Sequence, residues 1–278
     1  MKTIKISYYI ILICQLFFIS ACTTNALDVS VGDSQTSSAD TVNKLDRLIL
    51  KKGQILSFAM PITKPDKLNV VRDYYRRAFP LAKQFGLKIE NSMQVTKTIV
   101  GDFKPKALVF FSWPDQASEH EFYQQPQWPD IKALRSSGWD ELKIYSKVLE
   151  QDVDIEFSND KVYTLAIAWF NPEHPTDYDK YMKGIENNVI DVGGKFLFKL
   201  RSTKLEALAS TTRSPGQVTL VEWPDVQSLA KLQNTQEYKN NNRYFRSGVN
   251  LFEFHLLTPL NEANTEPSKI VKSIGKLP

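Results

Sequence analysis

Three side chains, Asp102, Arg135 and His255, are the candidates for ligand binding or catalysis in this chain of 278 residues. An arginine fork can bind a carboxylate through two parallel hydrogen bonds, so Arg135 and Asp102 are predicted to act as a ligand-binding or catalytic pair. The competing interpretation is a surface ion pair, or an arginine whose stem packs on Trp128. His255 lies in a predicted strand and could face either the core or a cavity.

The remaining candidate chemistry is sparse. The three histidines, at positions 120, 174 and 255, are far apart in sequence and show no metal-ligand spacing. No glycine-rich phosphate loop, serine elbow or dinucleotide fingerprint is present. We therefore expect no metal and no cofactor. Tyr74, Tyr75, Trp169 and Phe170 could line a cavity, although aromatic residues at helical or strand spacing more often belong to a core.

The first 22 residues have the features of an export signal. Lys2 and Lys5 precede a short apolar run, 8–19, which is too short to span a bilayer. The run ends in Ile19-Ser20-Ala21-Cys22, which resembles the lipobox of bacterial lipoproteins. The alternative is an ordinary signal peptide in which Cys22 stands by chance. We expect a signal peptide at 1–21 and lipidation, including palmitate, of Cys22.

This resemblance also implies a cellular location. In Gram-negative lipoproteins a residue other than Asp after the lipidated cysteine favours the outer membrane, and here that residue is Thr23. We expect a lipid-anchored protein of the cell envelope, in the outer membrane and facing the periplasm. Cys14, the other cysteine, lies in the segment predicted to be removed. The mature chain would therefore have no disulfide and no free thiol nucleophile.

Charge and composition exclude one class of partner. The net charge of +4 is small and dispersed along the chain, so we expect no nucleic acid to bind.

Residues 22–50 are rich in small polar residues and predict a flexible tether, with a short helix in 45–50. Residues 260–278 predict a polar tail.

An internal repeat is the most informative pattern. When the chain is shifted by 110 positions, Trp113-Pro114-Asp115 falls on Trp223-Pro224-Asp225, and Ser137-Gly138 falls on Ser247-Gly248. The Trp-Pro-Asp motif is also found in the acid loop of tyrosine phosphatases, but those enzymes need a cysteine nucleophile. In both copies it more plausibly ends a strand and caps a helix. We expect two domains, at 51–150 and 161–259.

Each domain has the same predicted order of elements, βαββαβ. In the first domain the strands are predicted at 54–60, 88–100, 107–111 and 139–148, and the helices at 65–85 and 115–125. In the second they are predicted at 162–169, 195–200, 218–221 and 249–257, with helices at 176–192 and 225–234. This order predicts an α+β fold in which two tandem ferredoxin-like domains each form an antiparallel four-stranded sheet with helices on one face. An acidic run, 151–156, joins them.

Both domains, over 53–149 and 161–258, resemble domain of unknown function 1330, within the dimeric α+β-barrel superfamily that also contains antibiotic-biosynthesis monooxygenases. The resemblance rests on Gly101-Asp102-Phe103, on 107–112, on 122–126, and on Arg135 seven residues after Trp128. The second domain keeps an aromatic residue, Tyr238, but has Phe245 in place of the arginine.

The family resemblance implies that two sheets pack face to face into a barrel. Because both domains here share one chain, we expect an intrachain dimeric α+β barrel and a monomer with an internal pseudo-dimer. Three functional hypotheses stay open: a small apolar or carboxylated molecule bound in the barrel, a cofactor-independent oxygenase or isomerase, and a structural or interaction protein of the envelope.

Overall fold

The computed structural model describes residues 47–208 and 213–260. The expected signal peptide (1–21), the expected lipidation site at Cys22, the expected tether up to residue 46 and the expected tail from residue 261 lie outside the described residues. Among the described residues, no helix is both long and apolar enough to cross a membrane.

The two repeats have matching elements. A strand before the first repeat is β1 (Arg47–Leu50). The first repeat comprises β2 (Ile55–Thr63), α1 (Leu68–Gln84), β3 (Lys88–Val100), β4 (Ala107–Trp113), α2 (Gln116–Tyr123), α3 (Trp128–Gly138) and β5 (Trp139–Val148). The connection contains β6 (Val153–Glu156). The second repeat comprises β7 (Val162–Phe170), α4 (Asp177–Asp191), β8 (Lys195–Arg201), β9 (Lys204–Leu208), β10 (Gln217–Trp223), α5 (Val226–Asn234), α6 (Gln236–Gly248) and β11 (Val249–Pro259).

Each repeat forms an antiparallel sheet with the strand order of a ferredoxin-like fold. The order is β5-β2-β4-β3 in the first repeat and β11-β7-β10-β8 in the second. In both, the fourth strand lies beside the first and the second strand lies at the edge. The predicted fold class is therefore confirmed, with two tandem βαββαβ units of the same topology.

The two sheets join at both edges and close a barrel. Strand β3 is long enough to pair with β4 at its start and with β11 of the second repeat at its end. On the other side, β5 pairs with β9. Strands β8 and β9 follow each other in the chain, separated by Ser202 and Thr203. The second strand of each repeat thus pairs with the fourth strand of the other.

Side chains fill the space between the two sheets. The largest cluster of buried apolar residues takes members from both repeats, among them Phe58, Phe110, Tyr163 and Leu220, all fully buried. Two smaller clusters lie on the outer faces, where the helices of each repeat cover its own sheet. Each strand therefore divides its side chains between the barrel interior and the helix layer, as the period of two requires.

The segment before the first repeat corrects one expectation. The sequence favoured a short helix in 45–50 at the end of a tether, but Arg47–Leu50 is strand β1 and pairs with β6. Leu48 and Leu50 alternate with exposed residues and join the barrel-interior cluster. This period of two needs a partner strand that lies about a hundred residues later, so local sequence does not reveal it.

The Trp-Pro-Asp motif has the predicted structural role in both repeats. The carboxylate of Asp115 accepts a hydrogen bond from the Ser118 amide at 2.8 Å, and Asp225 accepts one from the Ser228 amide at 2.7 Å. Each aspartate thus caps its helix. The preceding proline packs against a glycine with positive φ, Gly193 in the second repeat, where an added Cβ would lie 2.8 Å from the Pro224 ring.

Two helices were not predicted. Helix α3 begins at Trp128 with a proline in its first turn. Helix α6 is mostly polar and has few apolar positions to reveal its period. Helix α1, by contrast, matches its expectation closely and continues through Pro80 to Gln84.

Candidate functional site

The structure separates the three predicted site residues. Asp102 is exposed in the turn after β3. Arg135 is buried on α3, with 6% of its surface exposed, and His255 is fully buried on β11. The partners of the Arg135 guanidinium are Tyr74 and Glu206, so the expected pairing with Asp102 is not the one that forms.

His255 belongs to a polar group inside the barrel. Its Nδ1 lies 3.1 Å from Thr98 Oγ1, and its Nε2 lies 3.7 Å from Glu253 Oε2. Glu253 in turn accepts a hydrogen bond of 2.6 Å from Lys143 Nζ. The histidine therefore faces the interior between the sheets rather than the helix layer.

Arg135 is held by contacts from three directions. Its Nε and Nη2 donate to the Tyr74 hydroxyl at 3.0 and 2.8 Å, and its Nη1 donates to Glu206 Oε1 at 2.8 Å. The guanidinium carbon lies 5.1 Å from the centre of the Trp128 ring, so the predicted packing on that residue is present. Lys132 Nζ also lies 2.7 Å from Glu206 Oε1. These contacts use three of the five N–H donors of the guanidinium.

Burial and charge oppose each other at this cluster. Burial alone would raise the pKa of Glu206, but Arg135 and Lys132 together lower it, so the carboxylate stays charged. Burial raises the pKa of the Tyr74 hydroxyl despite the opposing effect of Arg135. Burial also raises the pKa of Tyr123. The phenols around the arginine are therefore neutral donors and acceptors near pH 7.

An aromatic cavity, which we call the chamber, lies between the helices and the sheet of the first repeat. Its volume is about 80 Å³. Its lining is mostly aromatic and comprises Ser57, Ala59, Tyr74, Tyr75, Ala78, Phe79, Ala82, Leu87, Phe111, Trp113, Phe122, Tyr123, Trp128, Arg135, Trp139, Leu142 and Ile144. Tyr74 and Tyr75 thus line a cavity as considered from sequence, whereas Trp169 belongs to the barrel interior and Phe170 packs on Tyr178.

One wall residue of the chamber has an unused donor. The indole Nε1 of Trp139 is buried and has no hydrogen-bond partner among the described residues. Trp139 is 2% exposed and stacks edge-on against Tyr74 with ring centres 5.0 Å apart. A buried N–H without an acceptor costs free energy, so an acceptor brought by a bound molecule would be favoured here.

A second and more open space, which we call the vestibule, adjoins the chamber. Its volume is about 340 Å³, and it shares Tyr123 and Ile144 with the chamber wall. The rest of its lining is polar except for Leu205 and comes from both repeats: Gln116, Glu119, His120, Ser146, Lys204, Leu205 and Glu206. Burial raises the pKa of Glu119, which favours its neutral form. His120 is exposed at this rim.

Sequence reasoning missed Glu206, which completes the site from the other repeat. It lies on β9, a strand that was not predicted, and Ile144 is its partner in the β5–β9 pairing. The internal repeat could have revealed it. In a barrel of two repeats, the second strand of one repeat pairs with the fourth strand of the other, so residues of the second repeat reach the helix layer of the first. No cluster of three or more potential metal ligands occurs in 47–208 and 213–260.

One family model and several solved structures resemble this chain. The family model described as "Domain of unknown function (DUF1330)" matches residues 161–251. The crystal structure of an anthrone oxidase-like protein is 10% identical and aligns over 77% of this chain and 95% of that one, with a TM-score of 0.49. A mutant chlorite dismutase from Candidatus Nitrospira defluvii is also 10% identical, over 82% and 97%, with a TM-score of 0.43. A search of curated proteins found no match.

The family match covers the second repeat, whereas the residues that first suggested the resemblance lie in the first repeat, 101–135. Both repeats have the same strand order, and together they close one barrel. The chain is therefore a tandem α+β barrel of the ferredoxin-like type whose second repeat matches the DUF1330 family.

Proposed function

We propose that the first repeat binds a small amphiphilic carboxylic acid. The apolar end of this molecule enters the chamber, and its carboxylate meets Arg135. The observation that carries the proposal is a buried guanidinium in the wall of an otherwise apolar, mostly aromatic cavity. Such a site combines apolar burial with one polar group that fixes orientation, which is typical of small-molecule pockets.

The dimensions favour a ligand that occupies both spaces. Pockets that bury a drug-sized molecule usually have volumes of roughly 300–1,000 Å³. The chamber, at about 80 Å³, accepts only a short apolar group, and the vestibule of about 340 Å³ accepts the rest. Tyr123 and Ile144 stand between the two spaces, so a bound molecule would pass beside them.

The local charges favour an acid over a neutral molecule. Arg135, Lys132 and Lys204 lie near Glu206 and Glu119, so three cationic groups meet two carboxyl groups. The cluster therefore carries an excess of positive charge. An incoming carboxylate can displace Glu206 from one guanidinium N–H, and a second acceptor on the ligand can take the free indole N–H of Trp139.

We further propose that this barrel is an envelope lipoprotein, anchored through Cys22 in the outer membrane and facing the periplasm. The support is the export signal and the lipobox-like Ile19-Ser20-Ala21-Cys22. The lipid would be the contact with the membrane, and the chain would be a monomer with an internal pseudo-dimer. A ligand would reach the vestibule from the periplasm.

The ligand proposal is tested by fluorescence, because three of the five tryptophans line the chamber. The probes are octanoate and phenylacetate, each with its neutral amide as a control. We expect saturable changes in emission with the acids and at least tenfold weaker binding of the amides, since about 1.4 kcal/mol corresponds to tenfold.

The matched variants are Leu142→Phe, which fills the chamber, and Leu142→Met, which roughly preserves its volume. We expect Leu142→Phe to abolish the response and Leu142→Met to retain it. An equal response in both variants, or equal binding of acids and amides, would contradict the proposal.

The anchor is tested by metabolic labelling with an alkyne fatty acid in the native host. We expect the wild-type chain to carry the label and to sediment with outer-membrane vesicles, and Cys22→Ser to lose both. An unlabelled wild-type chain in the soluble periplasmic fraction would contradict the lipid anchor without affecting the ligand proposal.

A further inference from the structure

The barrel interior contains a buried ion pair between the two repeats. Lys143 on β5 donates to Glu253 on β11 at 2.6 Å, and the two side chains are 3% and 5% exposed. Lys143 Nζ also lies 4.1 Å from the centre of the Phe103 ring. Neither residue touches the chamber, so the pair has no part in the ligand site described above.

The two partners occupy equivalent positions of the repeat. They are 110 residues apart, which is the shift that superposes the closing strands of the two repeats. Two positions that a rotation interchanges can touch each other only near the rotation axis. The Lys143–Glu253 contact therefore lies at the pseudo-twofold axis of the barrel.

The neighbours agree with this placement. Tyr145 and His255 are also 110 residues apart, are both fully buried, and lie one inward-facing position further along the same strands. The edge pairings are related by the same rotation, since β3 pairs with β11 and β5 pairs with β9. Gly101, with φ of +107°, lets the β3–β4 turn approach Glu253, because an added Cβ would lie 3.1 Å from its Cγ.

A contact on the axis determines which repeats can pair. Two first repeats would place Lys143 against a second Lys143, and two second repeats would place Glu253 against a second Glu253. Like charges buried at this distance repel strongly in the low-dielectric interior. Only the unlike pair brings opposite charges together on the axis itself. Glu141 Oε1 also lies 3.4 Å from Lys143 Nζ, so it would offset part of the repulsion between two first repeats but none between two second repeats.

We propose that the Lys143–Glu253 pair is a pairing determinant, which makes each repeat a partner for the unlike repeat and excludes the like one. The partner recognised by each bare sheet face is thus the complementary repeat, in the same chain or in a second copy. The inner sheet face of each repeat thus repels a like repeat as well as attracting the unlike one.

The test uses the full mature chain with Cys22→Ser, and three variants. Lys143→Glu puts a carboxylate on both sides of the axis, Glu253→Lys puts an ammonium group on both, and the double variant reverses the pair. We expect each single variant to melt lower by on the order of 10 °C and the double variant to recover at least half of that loss.

Partner choice is measured by refolding the two single variants together, one of them labelled with ¹⁵N, followed by native mass spectrometry. We expect mixed dimers, in which carboxylate repeats pair with ammonium repeats, in at least tenfold excess over dimers of either variant alone. A statistical mixture, the absence of mixed dimers, or a double variant as unstable as the single ones would overturn the proposal.

Discussion

The helix layers of the two repeats differ although their folds agree. In the first repeat this layer holds the chamber, and in the second the equivalent space is occupied by aromatic rings. The exchanged positions, each 110 residues apart, are Arg135 and Phe245, Leu142 and Phe252, and Ile144 and Phe254. The ring centres of Phe245 and Phe252 are 4.9 Å apart, and those of Phe252 and Phe254 are 5.8 Å apart.

The buried arginine of the first repeat and the carboxylate that pairs with it are both absent at the equivalent positions of the second repeat. Glu206 pairs with Ile144 across the β5–β9 junction, and at the matching β3–β11 junction Phe254 pairs with Val100. The first repeat thus has Arg135 with Glu206, and the equivalent positions of the second repeat hold Phe245 and Val100. A buried guanidinium needs a carboxylate, so the two sites could diverge only as pairs. Under the proposed function, the first repeat is the binding half and the second the structural half.

Phe245→Arg should have the largest effect. It buries a guanidinium where Val100 stands in place of Glu206, and an unpaired buried charge costs about 3–5 kcal/mol. Urea unfolding of this variant measures the free energy. Phe245→Leu is the control and should cost only about 1 kcal/mol. An equal loss in the free energy of unfolding for both variants would mean that the helix layer of the second repeat accepts a buried charge.

Arg135→Phe comes next and tests whether the pair diverged as a unit. Alone it should cost roughly 2 kcal/mol, because Glu206 loses its arginine but keeps Lys132 and is 34% exposed in its side chain. Adding Glu206→Val should bring the free energy of unfolding back to within about 1 kcal/mol of wild type. The double-mutant cycle measures this coupling, and additive costs would argue against it.

Sequence reasoning predicted the barrel because the repeat carries long-range information. The register of Trp113-Pro114-Asp115 on Trp223-Pro224-Asp225 showed that two copies exist, and both copies predicted the same order of strands and helices. Strands β1 and β6 were missed because each is four residues long and the two pair with each other in a separate two-stranded sheet. Local periodicity cannot identify such a pair.

The site was only half predictable. Arg135 was a candidate because the resemblance to domain of unknown function 1330 rests in part on an arginine seven residues after Trp128. Its carboxylate was assigned to Asp102, in the same repeat, whereas the actual partner, Glu206, reaches it from the other repeat through β9. The chamber itself depends on side-chain volumes such as that of Leu142, and an empty volume cannot be recognised from one sequence.

Phe252→Leu should have a smaller effect and should make the two helix layers more alike. Removing part of a half-buried ring should cost about 1–2 kcal/mol and leave an apolar cavity beside Phe245. Dry cavities of this kind bind xenon. We expect xenon pressure to raise the melting temperature of this variant and to leave a Phe252→Tyr control unchanged. No response to xenon would show that Phe254 collapses into the space.

We expect the smallest effect from the aspartate helix caps, which both repeats share. Hydrogen bonds from the Ser118 and Ser228 amides lower the pKa of Asp115 and Asp225 in the folded chain. A carboxyl group with a depressed folded pKa contributes stability above its unfolded pKa, about 3.9, and loses it as the pH falls through the folded value. Asp→Asn at either position keeps the cap but does not titrate.

Melting temperatures between pH 6 and pH 2 should therefore fall less steeply in Asp115→Asn and in Asp225→Asn than in wild type, by the same small amount in both. We expect equal changes in the two variants because the cap is local to the Trp-Pro-Asp turn. It does not depend on which side chains fill the helix layer. A larger change in the first repeat would mean that Asp115 is coupled to the chamber, and that the difference between the repeats extends beyond the exchanged side chains.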